Sequence, residues 1–251
     1  MSNTTTDPSE SRSGLFIVFE GVEGAGKSTQ IGRVAARLTN AGVPHRLVRE
    51  PGGTAVGERI REVLLDPGLE MCAETELLLV LAARAEFVRR LIGPALEAGE
   101  LVLSDRYELS TFAYQGAGRD LGLSRTRAWN EWATGGLKPD LTILLLVDPE
   151  LGRGRQSGAR DRLENERVEF HRTVAAAYER LAAEDETIVV VRAEGSPDET
   201  HERIWRELSR RWPRYFPGSQ DGDGNFSPAG EFHEQDDDAA PRGGSSNDGG
   251  E

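Results

Sequence analysis

The chain has 251 residues, room for one α/β domain or two small ones, and its 37% apolar and 29% charged content is that of a globular protein. No apolar run nears the ~20 residues of a membrane helix, and Met1 to Gly14 is a polar arm, expected to be disordered, without the apolar core of a signal peptide. A net charge of −13 argues against a nucleic-acid polymer as partner, and the single Cys72 excludes an internal disulfide framework and suits a reducing cytoplasm. Four scattered histidines form no metal-ligand cluster, so any metal is expected to arrive with a ligand.

Leu15 to Phe19 is a short apolar run suited to a buried strand, and Thr29 to Leu38 reads as a helix with Ile31, Val34, Ala35 and Leu38 at helical spacing. Between them, Gly21-Val22-Glu23-Gly24-Ala25-Gly26-Lys27-Ser28 fills the G-x-x-x-x-G-K-[ST] pattern of a phosphate-binding loop. Glycines there let backbone N–H groups converge on an anion, and the helix N-terminus adds partial positive charge. Lys27 reaches the outer phosphates and Ser28 offers a hydroxyl to Mg²⁺. Residues 21 to 29, through Thr29, are therefore expected to bind a nucleoside triphosphate. The chain has 28 arginines and two lysines, Lys27 and Lys138, so one of the two lysines sits where a flexible point charge suits a phosphate.

His45–Arg49 reads as a second strand, ending in Arg49-Glu50-Pro51-Gly52-Gly53-Thr54. A long helical pattern follows from about Glu74 to Ala98. Arg84 lies in the middle of its apolar stripe, between Leu77 and Leu81 on one side and Val88 and Leu91 on the other. An arginine buried there without a partner is very costly, so it reads as an internal ion pair or a snorkelling side chain, or as a donor to a ligand in a pocket. Leu101–Ser104 is a third strand, closed by Asp105-Arg106-Tyr107 as a Walker B element closes on its acid. Asp105 can hold Mg²⁺ and Arg106 a phosphate, although Asp-Arg is equally an ordinary ion pair.

Leu141–Val147 is a fourth strand ending at Asp148-Pro149. The stretch from Arg153 through Arg155 and Arg160 to Arg162 holds four arginines and one acid, with glycines at 152, 154 and 158 that argue against a rigid helix. It reads as a mobile cationic loop able to close over transferring charge, or as a solvated loop or a nucleic-acid patch. A helix from Glu164 to Ala183 leads to a fifth strand, Thr187–Val191. The last helix opens with the capping box Ser196-Pro197-Asp198-Glu199 and stops before Pro213. From Pro213 to Glu251 there are nine acids, two arginines and eight glycines, the composition of a disordered acidic tail. The expected architecture is an α/β domain over 15–212, with a five-stranded parallel sheet, helices on both faces and a site at the strands' carboxyl ends.

These motifs together resemble the thymidylate kinase family of P-loop nucleoside monophosphate kinases, over about Leu15 to Trp212. The likeness lies in Phe19 to Thr29, Arg49 to Thr54, Ala82-Ala83-Arg84, Asp105 to Gly116 and Asp161-Arg162-Leu163-Glu164. The resemblance implies Mg²⁺-ATP and dTMP as substrates and a homodimer. It places Glu23 by the sugar 3′-hydroxyl or the metal, and Arg49 and Arg106 on the dTMP phosphate. Arg84 would donate to a thymine carbonyl, Thr111 and Gln115 would lie near the base edge, and Tyr114 under the sugar. Lys27, Asp105 and Arg106, with Arg153, Arg155 and Arg160 of the lid, would carry catalysis. Many members place a stacking aromatic just before the Ala-Ala-Arg, where this chain has Val80-Leu81. Outside that family the alternatives are a kinase of another small phosphate acceptor and a non-catalytic nucleotide-binding module.

Overall fold

Strands β1 (Leu15–Gly21), β2 (His45–Arg49), β3 (Leu101–Asp105), β4 (Leu141–Leu146) and β5 (Ile188–Arg192) form one parallel sheet in the order β2-β3-β1-β4-β5. They belong to a computed structural model that describes residues 13–155 and 161–218. β1 sits at the centre, with Phe19 level with Asp105 of β3 and Ile143 of β4. All seven of its residues are buried, as a strand flanked and covered on every side requires.

Alternate residues of β1 feed different cores. Leu15, Ile17 and Phe19 pack with Ile31, Val34 and Leu38 of α1 (Lys27–Asn40), Val174 and Tyr178 of α8 (Val168–Ala183) and Ile204 and Leu208 of α9 (Pro197–Arg211). Phe16 and Val18 pack on the opposite side, against Phe87 at the end of α3 (Ala73–Phe87) and Ala95 and Leu96 of α4 (Gly93–Glu97). The sheet is thus covered by helices on both faces, as its unbroken apolar strands require.

Three boundaries differ from expectation. The long helix expected over 74–98 is α3 and α4 joined by a π turn over Val88–Ile92, where the Gly93 amide reaches back to the Val88 carbonyl. Pro94 next to it brings no amide hydrogen, which loosens the ordinary ladder. The helix expected from Glu164 begins only at Val168, because Asp161 and Glu164 bond each other's backbone amides at 2.9 and 3.2 Å and hold a separate turn. The glycine-rich stretch expected to resist helix formation begins as a short helix, α7 (Pro149–Gly154), with the Asp148 carboxylate accepting from the Leu151 amide at 3.2 Å.

The C-terminal boundary also moves. Residues 213–218 do not leave the domain at Pro213: Phe216 is fully buried, its ring 5.5 Å edge-on from Trp205, and the Trp205 indole donates to the Pro217 carbonyl at 3.2 Å. The capping box at Ser196 and Glu199 forms with both of its hydrogen bonds. The expected N-terminal arm and acidic tail, except for residues 13–14 and 213–218, lie outside the described residues.

Candidate active site

The carboxyl ends of β1, β2 and β3 open on one cavity of about 320 Å³. After β1 the chain enters the loop at Gly21 and turns into α1 through Gly26, a left-handed residue with φ of 89° that acts as N-cap without a side chain. Gly24, also left-handed, lies against α7 so closely that a Cβ on it would stand 2.0 Å from the Gly152 carbonyl oxygen. Lys27 is buried rather than solvent-facing, and its amine donates to the Gly21 and Val22 carbonyls at 3.0 and 2.9 Å. Burial and the neighbouring Arg106 lower its pKa to about 8. Ser28 and Thr29 are exposed at the head of α1, and the Ser28 hydroxyl donates to Asp105 at 2.9 Å. The other Asp105 oxygen, Oδ1, is buried with no hydrogen-bond partner among the described residues.

Arg106 adopts φ of 74°, a left-handed conformation that costs a non-glycine residue roughly 1–3 kcal/mol. That twist aims its guanidinium back across β1, where it donates to the Gly21 carbonyl at 3.2 Å, Ser110 Oγ at 2.9 Å and Glu23 at 3.1 Å. Glu23 also accepts from the Tyr114 hydroxyl at 2.5 Å. Burial pushes the Glu23 carboxyl up, but Arg106 and Lys27 beside it hold it below its ordinary value. Arg49, at the end of β2, pairs with Glu58 at 3.0 Å and lines the same cavity. Lys27, Arg49 and Arg106 therefore converge on one side of the cavity, as an anion site demands.

The other end is built on α3, whose Glu76, Val80 and Arg84 follow one another at four-residue spacing along the cavity wall. Arg84 is 2% exposed. It pairs with Glu50 at 2.7 Å and donates to Thr111 at 2.7 Å, Asn130 at 2.8 Å and the Tyr107 carbonyl at 2.9 Å. Arg84 therefore belongs to an internal ion pair, and it also lines the cavity. Burial raises Glu50 to about 7 against the opposing pull of Arg84. Gln115 donates to Glu76 at 2.8 Å, and with Thr111 and Tyr114 it forms the adjoining wall.

Arg155 of the lid does not line the cavity. It donates to the Ala193 carbonyl at 3.2 Å, beyond the end of β5. Arg160 and the Arg153 side chain lie outside the described residues.

Several residues that sequence reasoning passed over prove central. Glu20, buried in β1, accepts from the Tyr107 and Ser110 amides, Ser110 Oγ and the Tyr178 hydroxyl at 2.6 to 3.0 Å, and so shapes the turn that carries Arg106. An acid inside the apolar run Phe16 to Gly21 was its one visible signal. Arg61, on α2 (Ala55–Leu65), enters the cavity and donates to the Pro51 carbonyl at 2.8 Å. Glu50 and Glu76 complete the set.

A family model described as thymidylate kinase matches residues 19–204. The thymidylate kinase of Deinococcus radiodurans is 49% identical over 201 residues, covering 79% of this chain and 98% of that protein. That of Synechococcus sp. JA-2-3B'a(2-13) is 48% identical over 82% of this chain and all of its own length. That of Halothermothrix orenii is 46% identical over 78% and 96% respectively. The family match takes in β2 to β5 entire and the carboxyl end of β1, and so every strand end around the cavity, and the chain belongs to the thymidylate kinase family.

Proposed function

We propose that this protein transfers the γ-phosphoryl group of Mg²⁺-bound ATP to dTMP, giving ADP and dTDP. The observation that carries the reading is a cavity lined by Lys27 and Ser28 of the phosphate-binding loop and by the polar side chains of Glu76, Arg84, Thr111 and Gln115, with Arg49 and Arg106 also on its wall. The acceptor is a phosphate monoester, largely dianionic at neutral pH because its second pKa is ~6, so the protein has no need of a strong general base. Its residues neutralise and align instead. Lys27 releases its two loop carbonyls to meet the outer phosphates, and Arg106 and Arg49 hold the acceptor phosphate facing them. Glu23 fixes Arg106 from one side and reaches toward the sugar.

Ser28 and Asp105 fit the metal: a hydroxyl and a carboxylate lie in contact, and Asp105 Oδ1 is buried with no hydrogen-bond partner among the described residues. Bound there, Mg²⁺ would supply charge neutralisation on the phosphates. The lid arginines Arg153, Arg155 and Arg160 are proposed to add positive charge in the closed complex.

Val56 and Val63 of α2, Leu78 of α3, and Trp129 and Trp132 of α6 (Leu123–Thr134) are exposed, Trp132 at 83%, on three helices packed side by side. They support a homodimer through this face. We place the enzyme in the cytoplasm, the reducing compartment that its one exposed thiol suits. The test is ADP release across a panel of nucleoside monophosphates. Turnover highest with dTMP is expected, and no turnover with dTMP would refute the reading.

A further inference from the structure

Glu76 is 1% exposed and gathers three donors around one carboxylate. Gln115 Nε2 approaches Oε1 at 2.8 Å, Arg119 Nη2 approaches Oε2 at 2.9 Å, and Arg162 Nη1 reaches Oε2 at 2.7 Å. Burial pushes this carboxyl up, but Arg119 and Gln115 hold it below its ordinary value, so it is an anion throughout the working pH range. An anion accepts and cannot donate. It therefore dictates which end of the Gln115 amide faces it: a flipped amide would set its oxygen against the carboxylate, acceptor to acceptor. Nε2 is held toward Glu76, and Oε1 is the atom left to meet a ligand in the cavity that Gln115 lines.

The bases differ at that contact. Thymine and uracil carry a hydrogen on N3 and donate, whereas cytosine N3 accepts. Resting on the reading that the cavity takes dTMP with its base at the Arg84–Gln115 end, we propose that Glu76 is a specificity-setting positioning residue. It locks Gln115 with its oxygen toward the base and so excludes cytosine. A site that presents a fixed acceptor to a second acceptor loses a hydrogen bond and leaves two buried groups unsatisfied, which discriminates strongly.

Glu76→Gln keeps the shape and removes the restriction, since an amide at 76 can donate or accept and Gln115 can then turn over. The experiment is kcat/KM for dTMP, dUMP and dCMP in the full chain, for wild type, Glu76→Gln and Glu76→Asp. The ratio of dTMP to dCMP is expected to fall by about tenfold or more in Glu76→Gln, with dTMP KM raised more than kcat is lowered. It should stay within about threefold of wild type in Glu76→Asp, which keeps an obligate acceptor. Arg162→Gln serves as the contrast: it loosens the same hub without freeing Gln115, and should slow all three substrates without changing the ratio. If Glu76→Gln does not fold, Glu76→Gln combined with Arg119→Gln removes the carboxylate together with one of its cations and gives the same reading. An active wild type whose ratio is unchanged in these variants overturns the role of Glu76. A wild type inert toward dTMP overturns the functional reading instead.

Discussion

Lys27 and Arg84 show how much a side chain's meaning depends on what it touches. Lys27 donates to two loop carbonyls, so Lys27→Ala leaves those oxygens unmatched and should cost about 1 kcal/mol of stability. The loss of turnover should be far larger, by a factor on the order of 10³, because the phosphoryl group loses its main charge partner. Turnover within threefold of wild type would contradict that role. On a helical wheel alone, Arg84→Leu repairs an apolar stripe. In the folded protein it strands Glu50, whose Oε1 already has no hydrogen-bond partner among the described residues. The expected outcome is destabilisation of about 3–5 kcal/mol in urea unfolding, together with a raised dTMP KM. A variant as stable as wild type would show that Glu50 is neutral and indifferent to its partner.

Most basic and glycine residues of the site, with Glu23 and Asp105 beside them, were legible because short motifs carry them. The roles of Glu20, Glu50 and Glu76, and of Arg61, were not. Glu20 meets the Tyr107 amide 87 residues away, Glu76 meets Arg119 at 43 and Glu50 meets Arg84 at 34. No local periodicity records a pairing made only by the crossover of parallel strands.

Among the elements, β1 and β4 were readable as apolar runs because burial on both faces removes any alternation. The ends of helices were less so. α9 carries the clearest case, since Pro213 looks like a terminus while Phe216 returns to the core. A chain ending after Trp212 loses that ring and the Trp205–Pro217 hydrogen bond, and should be destabilised by about 3 kcal/mol or more. A chain ending after Gly218 should match the full length in both melting temperature and kcat. Equal stability of the two truncations would show that Phe216 adds nothing.

The contact between α1 and α9 also carries a pH dependence. Burial, with Arg37 beside it, lowers His201 from 6.5 to about 4, so the folded protein keeps the imidazole neutral where the unfolded chain takes up a proton. Between those two pH values the unfolded state binds more protons, and stability falls as pH falls from about 6.5 toward 4. After screening, this is on the order of 1–2 kcal/mol. His201→Leu should flatten that part of the stability–pH curve, and an unchanged acid limb would assign it to other groups.

For the whole molecule, the exposed apolar residues of α2, α3 and α6 bear on assembly. Trp132→Glu places a charge at the most exposed of them and should convert the proposed dimer to monomer in sedimentation equilibrium at micromolar concentration, with the fold intact by circular dichroism. An undisturbed dimer would move the interface elsewhere.

The sheet order has a consequence during synthesis. β1 leaves the ribosome first among the strands, yet its neighbours are β3 and β4, and β2 does not touch it. Between Gly21 and Leu101 the chain grows by about 80 residues, on the order of ten seconds at ordinary elongation rates. For most of that interval β1 has no strand partner; α1 emerges first and shelters one of its faces, while α3 and α4, which cover the other, follow only shortly before β3. The nascent chain is therefore most exposed to aggregation before β3 emerges, and ribosome pausing or chaperone capture in that window should govern the yield of active enzyme more than any later step.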